Sequence, residues 1–182
     1  MHEVSLNRMI TDYISGDAIP ETTYEDLRQG LARMLVEDKD YPKSRVRPKH
    51  EIAYEVNGEA HSAVIDIAVF SEEGRPLLAL FFCPGEIGSF VRQATAAARI
   101  HLPEPFPLVA VTDSMDIVVV ATQSGDSVGD GFSGVPRWPD LEPLARAHPV
   151  AVLSEARIRG ERRILLAYSG LAGPCCGGDC DA

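Results

Sequence analysis

A carboxylate, Asp66, stands inside the apolar run Val64-Ile65-Asp66-Ile67-Ala68-Val69-Phe70, and a still more apolar run, Pro76 to Cys83, follows after a short polar turn. An ionised acid in a buried strand demands a partner, because its uncompensated burial is costly. It either binds a hard cation through its oxygens or is satisfied by backbone amides or an arginine. A second group with chemical potential is Cys175, Cys176 and Cys180, three of the four cysteines of the chain, set among glycines with Asp179 and Asp181. Thiolates are soft ligands, so this cluster suits Zn or another thiophilic metal, or a redox pair. The usual structural zinc site has four ligands in two spaced pairs, which this segment lacks. A fourth ligand would have to come from Asp179, Cys83, a histidine or a second chain; the plainer alternative is a Gly-rich terminal tail. The histidines, His2, His50, His61, His101 and His148, show no ligand spacing along one helix, and the chain has no phosphate-binding loop or nucleophile elbow.

The elements that must position Asp66 are legible from hydrophobic period and turn chemistry. Thr22 or Thr23 caps a helix whose first turn carries Glu25 and Asp26, with Tyr24, Leu27, Leu31, Met34 and Leu35 at helical spacing. Asp40-Tyr41-Pro42 ends it. Val46 to Val56 alternates up to Asn57-Gly58, a strong hairpin signal, and Glu59 to Phe70 is the partner strand. Ser71 to Arg75 turns the chain into Pro76 to Cys83, so Asp66 sits in a three-stranded meander. Pro84-Gly85 breaks the third strand, and Glu86 to His101 forms a helix with Gln93 and an alanine-rich face. Strands at Pro107 to Thr112 and Met115 to Ala121 follow, then a Gly/Ser/Asp/Pro-rich loop from Ser124 to Pro139 and a short helix from Pro139 to His148. A terminal strand pair is expected at Ala151 to Arg157 and Arg162 to Tyr168. The expected organisation is an arm or short helix over residues 1–20, a single domain over 21–169 and a Cys/Gly-rich tail over 170–182.

Composition narrows the class. With 182 residues, 45% of them hydrophobic, the chain suffices for one α/β domain. A formal charge of −10 makes it a poor general nucleic-acid binder, although Lys43, Arg45, Arg47 and Lys49, and Arg157, Arg159, Arg162 and Arg163, form local basic groups that read as solvated faces. No apolar run approaches the roughly 20 residues of a membrane span and no basic segment precedes an apolar signal core, so a cytoplasmic chain with reduced thiols is expected.

Taken in order over residues 20–122, the acidic helix, Tyr41-Pro42-Lys43, the meander bearing Asp66, the Pro76-Leu77-Leu78 strand and the helix bearing Gln93 resemble a known family. It is the N-terminal nuclease domain of type I restriction enzyme R subunits and their small stand-alone relatives. The resemblance implies a PD-(D/E)xK nuclease: an α/β, restriction-endonuclease-like core with a central mixed four- to five-stranded sheet flanked by helices. In that family two carboxylates from neighbouring strands hold Mg²⁺, and a lysine two residues beyond the second acid shares its face and helps activate water. Asp66 matches the first acid, Gln93 the glutamine of the following helix, and Glu25 the acid of the first helix. Where the family carries Glu-x-Lys this chain carries Phe81-Phe82-Cys83, so Phe81 replaces the acid and Cys83 the lysine. A shift by one residue restores neither, since Leu77 to Pro84 contains no acid and no lysine.

The expectation is therefore a stand-alone domain of this fold without nuclease activity, an accessory or binding protein with no cofactor. Its partner would be DNA, weakly held, or another protein; a homodimer stays open and a membrane is not implicated. Two alternatives stand beside it. One is a divergent Mg²⁺-dependent endonuclease using Asp66, Glu86 and a distant acid such as Glu51 or Glu25, and the other is a metal or redox protein acting through Cys175, Cys176 and Cys180.

Overall fold

The computed structural model describes residues 5–83 and 85–172; the cysteine cluster at Cys175, Cys176 and Cys180 lies outside the described residues. Chain order is β1 (Ser5–Thr11), β2 (Ala18–Thr22), α1 (Thr23–Arg33), β3 (Val46–Val56), β4 (Glu59–Phe70), β5 (Pro76–Phe82), α2 (Ile87–Ile100), β6 (Leu108–Thr112), β7 (Ile117–Ala121), β8 (Ser127–Asp130), α3 (Gly131–Gly134), α4 (Trp138–Ala147) and α5 (Glu155–Ala172). β3 to β8 form one sheet in sequence order, antiparallel throughout except at β5–β6, which α2 connects as a parallel crossover. This is a mixed α/β fold with helices on both faces of a mixed sheet.

Local chemistry explains the central elements. Asn57 (φ 54°) and Gly58 (φ 86°) make a two-residue turn with both φ positive, and it sets the continuous β3–β4 register from Val56–Glu59 to Val46–Val69. Thr22 caps α1, its Oγ1 accepting the Glu25 N–H at 3.1 Å. β5, β6 and β7 are buried on both faces, as their near-continuous apolar runs require. One layer holds Leu31 of α1, Leu35 in the turn that follows it, Tyr41, Ile67, Leu78, Leu80 and Leu141 of α4. The other packs the alanine face of α2, Ala94 to Ala98, together with Leu165 of α5, over Ile52, Tyr54, Ala79 and Val109. Alanine at these positions lets the helix approach the sheet closely.

The structure departs from expectation in three places. Residues 5–22 form an antiparallel hairpin in place of an arm or short helix, because Asp12 folds the connection by accepting the Ile14 and Ser15 amides at 2.9 and 2.8 Å. The sheet has six strands against the four to five expected, the sixth being β8 within the Gly-rich segment. Gly129 and Gly134 allow this, since a Cβ at Gly129 would run into the Gly134 carbonyl. The terminal strand pair is instead the single helix α5: Ile158, Glu161 and Leu165 recur at helical spacing and turn inward, and Gly160 has open space and does not break the run.

Candidate functional site

Asp66 sits where the pleat slips. Along β4, Ile67 and Val69 enter the α1–α4 layer and Ala68 and Phe70 the α2–α5 layer, yet Ile65 joins the latter. Residues two apart should share a face, so alternation is broken between Ile65 and Ile67. Across the ladder the position between Pro48–Ile67 and His50–Ile65 belongs to Lys49, whose φ is left-handed at 49°. Val46 and Ile52 fall in opposite layers as well. The shared slip aims Lys49 and Asp66 toward α1, where the Lys49 ammonium pairs with the Glu25 carboxylate.

β4 and β5 separate at the same point. Their ladder runs from Val69–Leu78 to Ile67–Leu80, and beyond it the Phe82 N–H donates to Asp66 Oδ2 at 2.7 Å. The side chain thus takes over an amide at the splay. Burial pushes the Asp66 carboxyl up to about 6, against the Phe82 amide and the Arg28 and Lys49 charges, which pull it down, while Glu25 adds to the rise.

Glu25 is 1% exposed and belongs to a buried ion network. Arg28, three residues on along α1, donates from Nε to Glu25 Oε2 at 3.0 Å, pairs with the same oxygen through Nη2, and reaches Asp12 Oδ2 at 2.7 Å. Asp12, 2% exposed, also accepts from Gln29 Nε2 at 3.0 Å, and Gln29 Oε1 accepts the Tyr13 N–H at 2.7 Å. Burial alone would raise both acids, but their hydrogen bonds and the neighbouring cations outweigh it and hold Glu25 and Asp12 below the ordinary carboxylate range. Burial would lower Arg28, and its two carboxylates outweigh that and raise it.

The structure brings Glu25 and Asp66 together and leaves the other expected positions elsewhere. Phe81 and Cys83 pack into the α2–α5 layer, on the far side of the sheet from Glu25. Facing α1 from β5 are Leu80 and Phe82, the latter edge-on to Tyr24 with ring centroids 5.6 Å apart. Neither can bind a cation. The Cys83 thiol donates to the Gly85 carbonyl at 3.3 Å, and burial pushes its pKa up. Gln93 is half-buried on α2, whose apolar face packs in the opposite layer. Glu51 is exposed, and Glu86 stands exposed at the start of α2 without a side-chain cap bond. Among the described residues no group of three or more His, Cys, Asp or Glu side chains converges as a metal ligand set.

Three participants went unnoticed in the sequence. Asp12 is hidden in a segment that reads as an arm or short helix, and Lys49 in a basic strand face. Only Arg28 left a signal, its i,i+3 spacing from Glu25.

Residues 23–136, from the start of α1 to the connection before α4, match the family model of the type I restriction enzyme R protein N terminus (HSDR_N), and the chain belongs to that family. The match includes Glu25, Arg28, Lys49 and Asp66 and leaves out Asp12 and α5. No curated protein and no solved structure matches the chain. No helix among the described residues is long and apolar enough to cross a membrane.

Proposed function

We propose that this domain is a degenerate member of the PD-(D/E)xK, restriction-endonuclease-like group that has lost nuclease chemistry and serves as an accessory or binding module. The observation that carries this reading is the state of the two acids. Both Glu25 oxygens are taken by Arg28 and Lys49, Asp66 Oδ2 accepts the Phe82 amide, and the β5 side chains beside them are Leu80 and Phe82. Mg²⁺ prefers near-octahedral oxygen coordination from ionised carboxylates and waters. Two paired acids flanked by an arginine, a lysine and two apolar side chains do not fit it.

The test is incubation of supercoiled plasmid with the protein and Mg²⁺ or Mn²⁺. No nicking above that of the Asp66→Ala variant is expected, and nicking that this variant abolishes would overturn the reading. One observation favours a divergent nuclease: Glu25, Lys49 and Asp66 come together from three elements, so this chain has a lysine beside two acids although β5 supplies none. In that case Lys49→Gln would abolish nicking along with Asp66→Ala. The third reading, a thiophilic metal on Cys175, Cys176 and Cys180, is tested by elemental analysis of reduced protein purified without chelator, where stoichiometric Zn supports it and its absence counts against it.

A further inference from the structure

On the opposite side of the sheet, α2 and α5 are joined by another buried acid. Glu161, 1% exposed, forms ion pairs with Arg92 Nη1 at 2.6 Å, Arg99 Nη1 at 3.1 Å and Arg157 Nε at 3.3 Å. Three guanidinium groups around one carboxylate leave a local surplus of positive charge in a chain whose net charge is −10. Arg99 and Arg157 also line a groove of about 370 Å³ with Gln123, Val152, Leu153 and Ser154. Its size falls within the roughly 300–1,000 Å³ of small-molecule sites.

The polar groups of this groove are mostly donors. The Thr122 and Gln123 carbonyls already accept from Arg99 Nε and Nη2 at 3.0 and 3.1 Å, and Gln123 Oε1 accepts the Ala151 N–H at 2.9 Å. The carboxamide NH₂ of Gln123, the remaining guanidinium N–H groups and the Ser154 hydroxyl proton are left for a ligand. The acid on the first turn of α5, Glu155, pairs with Arg159 at 3.7 Å and does not line the groove. Arg99 contrasts with Arg28. Burial lowers the pKa of Arg99, Glu161 raises it, and Arg92 and Arg157 lower it again for a net depression, whereas the two carboxylates on Arg28 raise that residue. A further anion would complete the neutralisation of Arg99.

We propose that this groove binds a phosphate ester, its phosphate held by Arg99, Arg157 and the Gln123 carboxamide NH₂, with Val152 and Leu153 against the organic part. Planar guanidinium groups suit phosphate oxygens, forming short charge-assisted hydrogen bonds. Arg99 and Gln123 lie within the segment that matches the family model, and Val152 to Arg157 lie beyond it. The groove does not depend on whether the Asp66 site is inert, because the two lie in opposite layers.

The experiment is fluorescence anisotropy of a labelled DNA oligonucleotide and, separately, of fluorescently labelled AMP with the full chain, with unlabelled AMP as competitor and salt as a second variable. Arg157 is well exposed, and Arg92 and Arg99 still pair with Glu161 when it is replaced, so Arg157→Gln removes groove donors while the buried acid keeps two cations; Arg159→Gln, outside the groove, is the control. Arg157→Gln is expected to weaken binding by about tenfold or more, the scale of one charge-assisted hydrogen bond, with Arg159→Gln and Asp66→Asn close to wild type. Displacement by AMP identifies a nucleotide-sized ligand. Persistence against AMP with steep weakening by salt identifies the nucleic-acid backbone. Absence of binding by both probes, or equal binding by wild type and Arg157→Gln, overturns the proposal, and neither result bears on plasmid nicking.

Discussion

Replacing Asp66 with asparagine isolates the cost of keeping a carboxylate in the splay between β4 and β5. The carboxamide retains an oxygen for the Phe82 N–H and loses the charge. Burial raises the Asp66 carboxyl from 3.8 to about 6. A raised folded-state pKa means that the protonated form is favoured on folding. Its contribution is fully present below the unfolded value and is lost as pH rises through the folded one. A rise of about two units at 1.36 kcal/mol per unit corresponds to about 3 kcal/mol. Part of this is already lost at pH 4, just above the unfolded value, so the stability of Asp66→Asn relative to wild type should grow by about 2 kcal/mol between pH 4 and pH 8. Paired urea titrations followed by circular dichroism at several pH values measure it, and the difference cancels groups that titrate alike in both proteins. A difference that does not change with pH, or a variant that loses stability relative to wild type as pH rises, would refute the reasoning. The second outcome would mean that Arg28 and Lys49 hold Asp66 ionised, as a cation ligand needs.

Three further outcomes follow from the packing. Arg28→Met leaves Asp12 and Glu25 buried without their shared cation and should destabilise the domain by roughly 3–5 kcal/mol at pH 7, with a smaller loss at pH 4 where the carboxylates protonate; urea midpoints at both pH values check this. His50 and His101 meet through Nε2 atoms 3.0 Å apart, and because His101 Nδ1–H donates to the Glu104 carbonyl, His50 supplies the shared proton. Burial lowers the pKa of both, with the His101 and Arg47 charges adding to it at His50 and Arg47 at His101, so stability should be complete above about 6.5 and fall as pH drops below it. His50→Gln should flatten that slope, and both imidazoles should titrate below the ordinary range by NMR. Gly129→Ala should cost about 1–3 kcal/mol in thermal or urea unfolding, since its Cβ meets the Gly134 carbonyl and one backbone must move; wild-type stability would count against the close approach.

Much of this molecule was legible because its signals are local. Asn57-Gly58 allows few other geometries, Thr22 with Glu25 and Asp26 marks a helix start, and the double-sided burial of β5 to β7 shows in uninterrupted apolar residues. Those signals sufficed for the class of fold and for the prominence of Asp66. Local signals misled where a residue's preference yields to packing. Gly160 reads as a turn, yet burial of Ile158, Glu161 and Leu165 on one stripe carries the helix through it. The Gly-rich segment reads as a loop, yet its glycines let β8 and α3 close on each other at the sheet edge.

Sequence alone determined that a carboxylate lies in a buried strand, that the next strand offers it neither an acid nor a lysine, and that α1 begins with acids. Tertiary structure decided which groups answer that carboxylate. The pleat slip at Lys49 and Asp66 turns both toward α1 and leaves Phe81 and Cys83 on the far face, a result that strict alternation does not contain. Asp12 reaches Arg28 only because the β1–β2 hairpin folds beneath α1, across 16 residues of chain. Ion pairs form between whatever charges packing brings within a few ångströms, and separation in sequence places almost no limit on that choice.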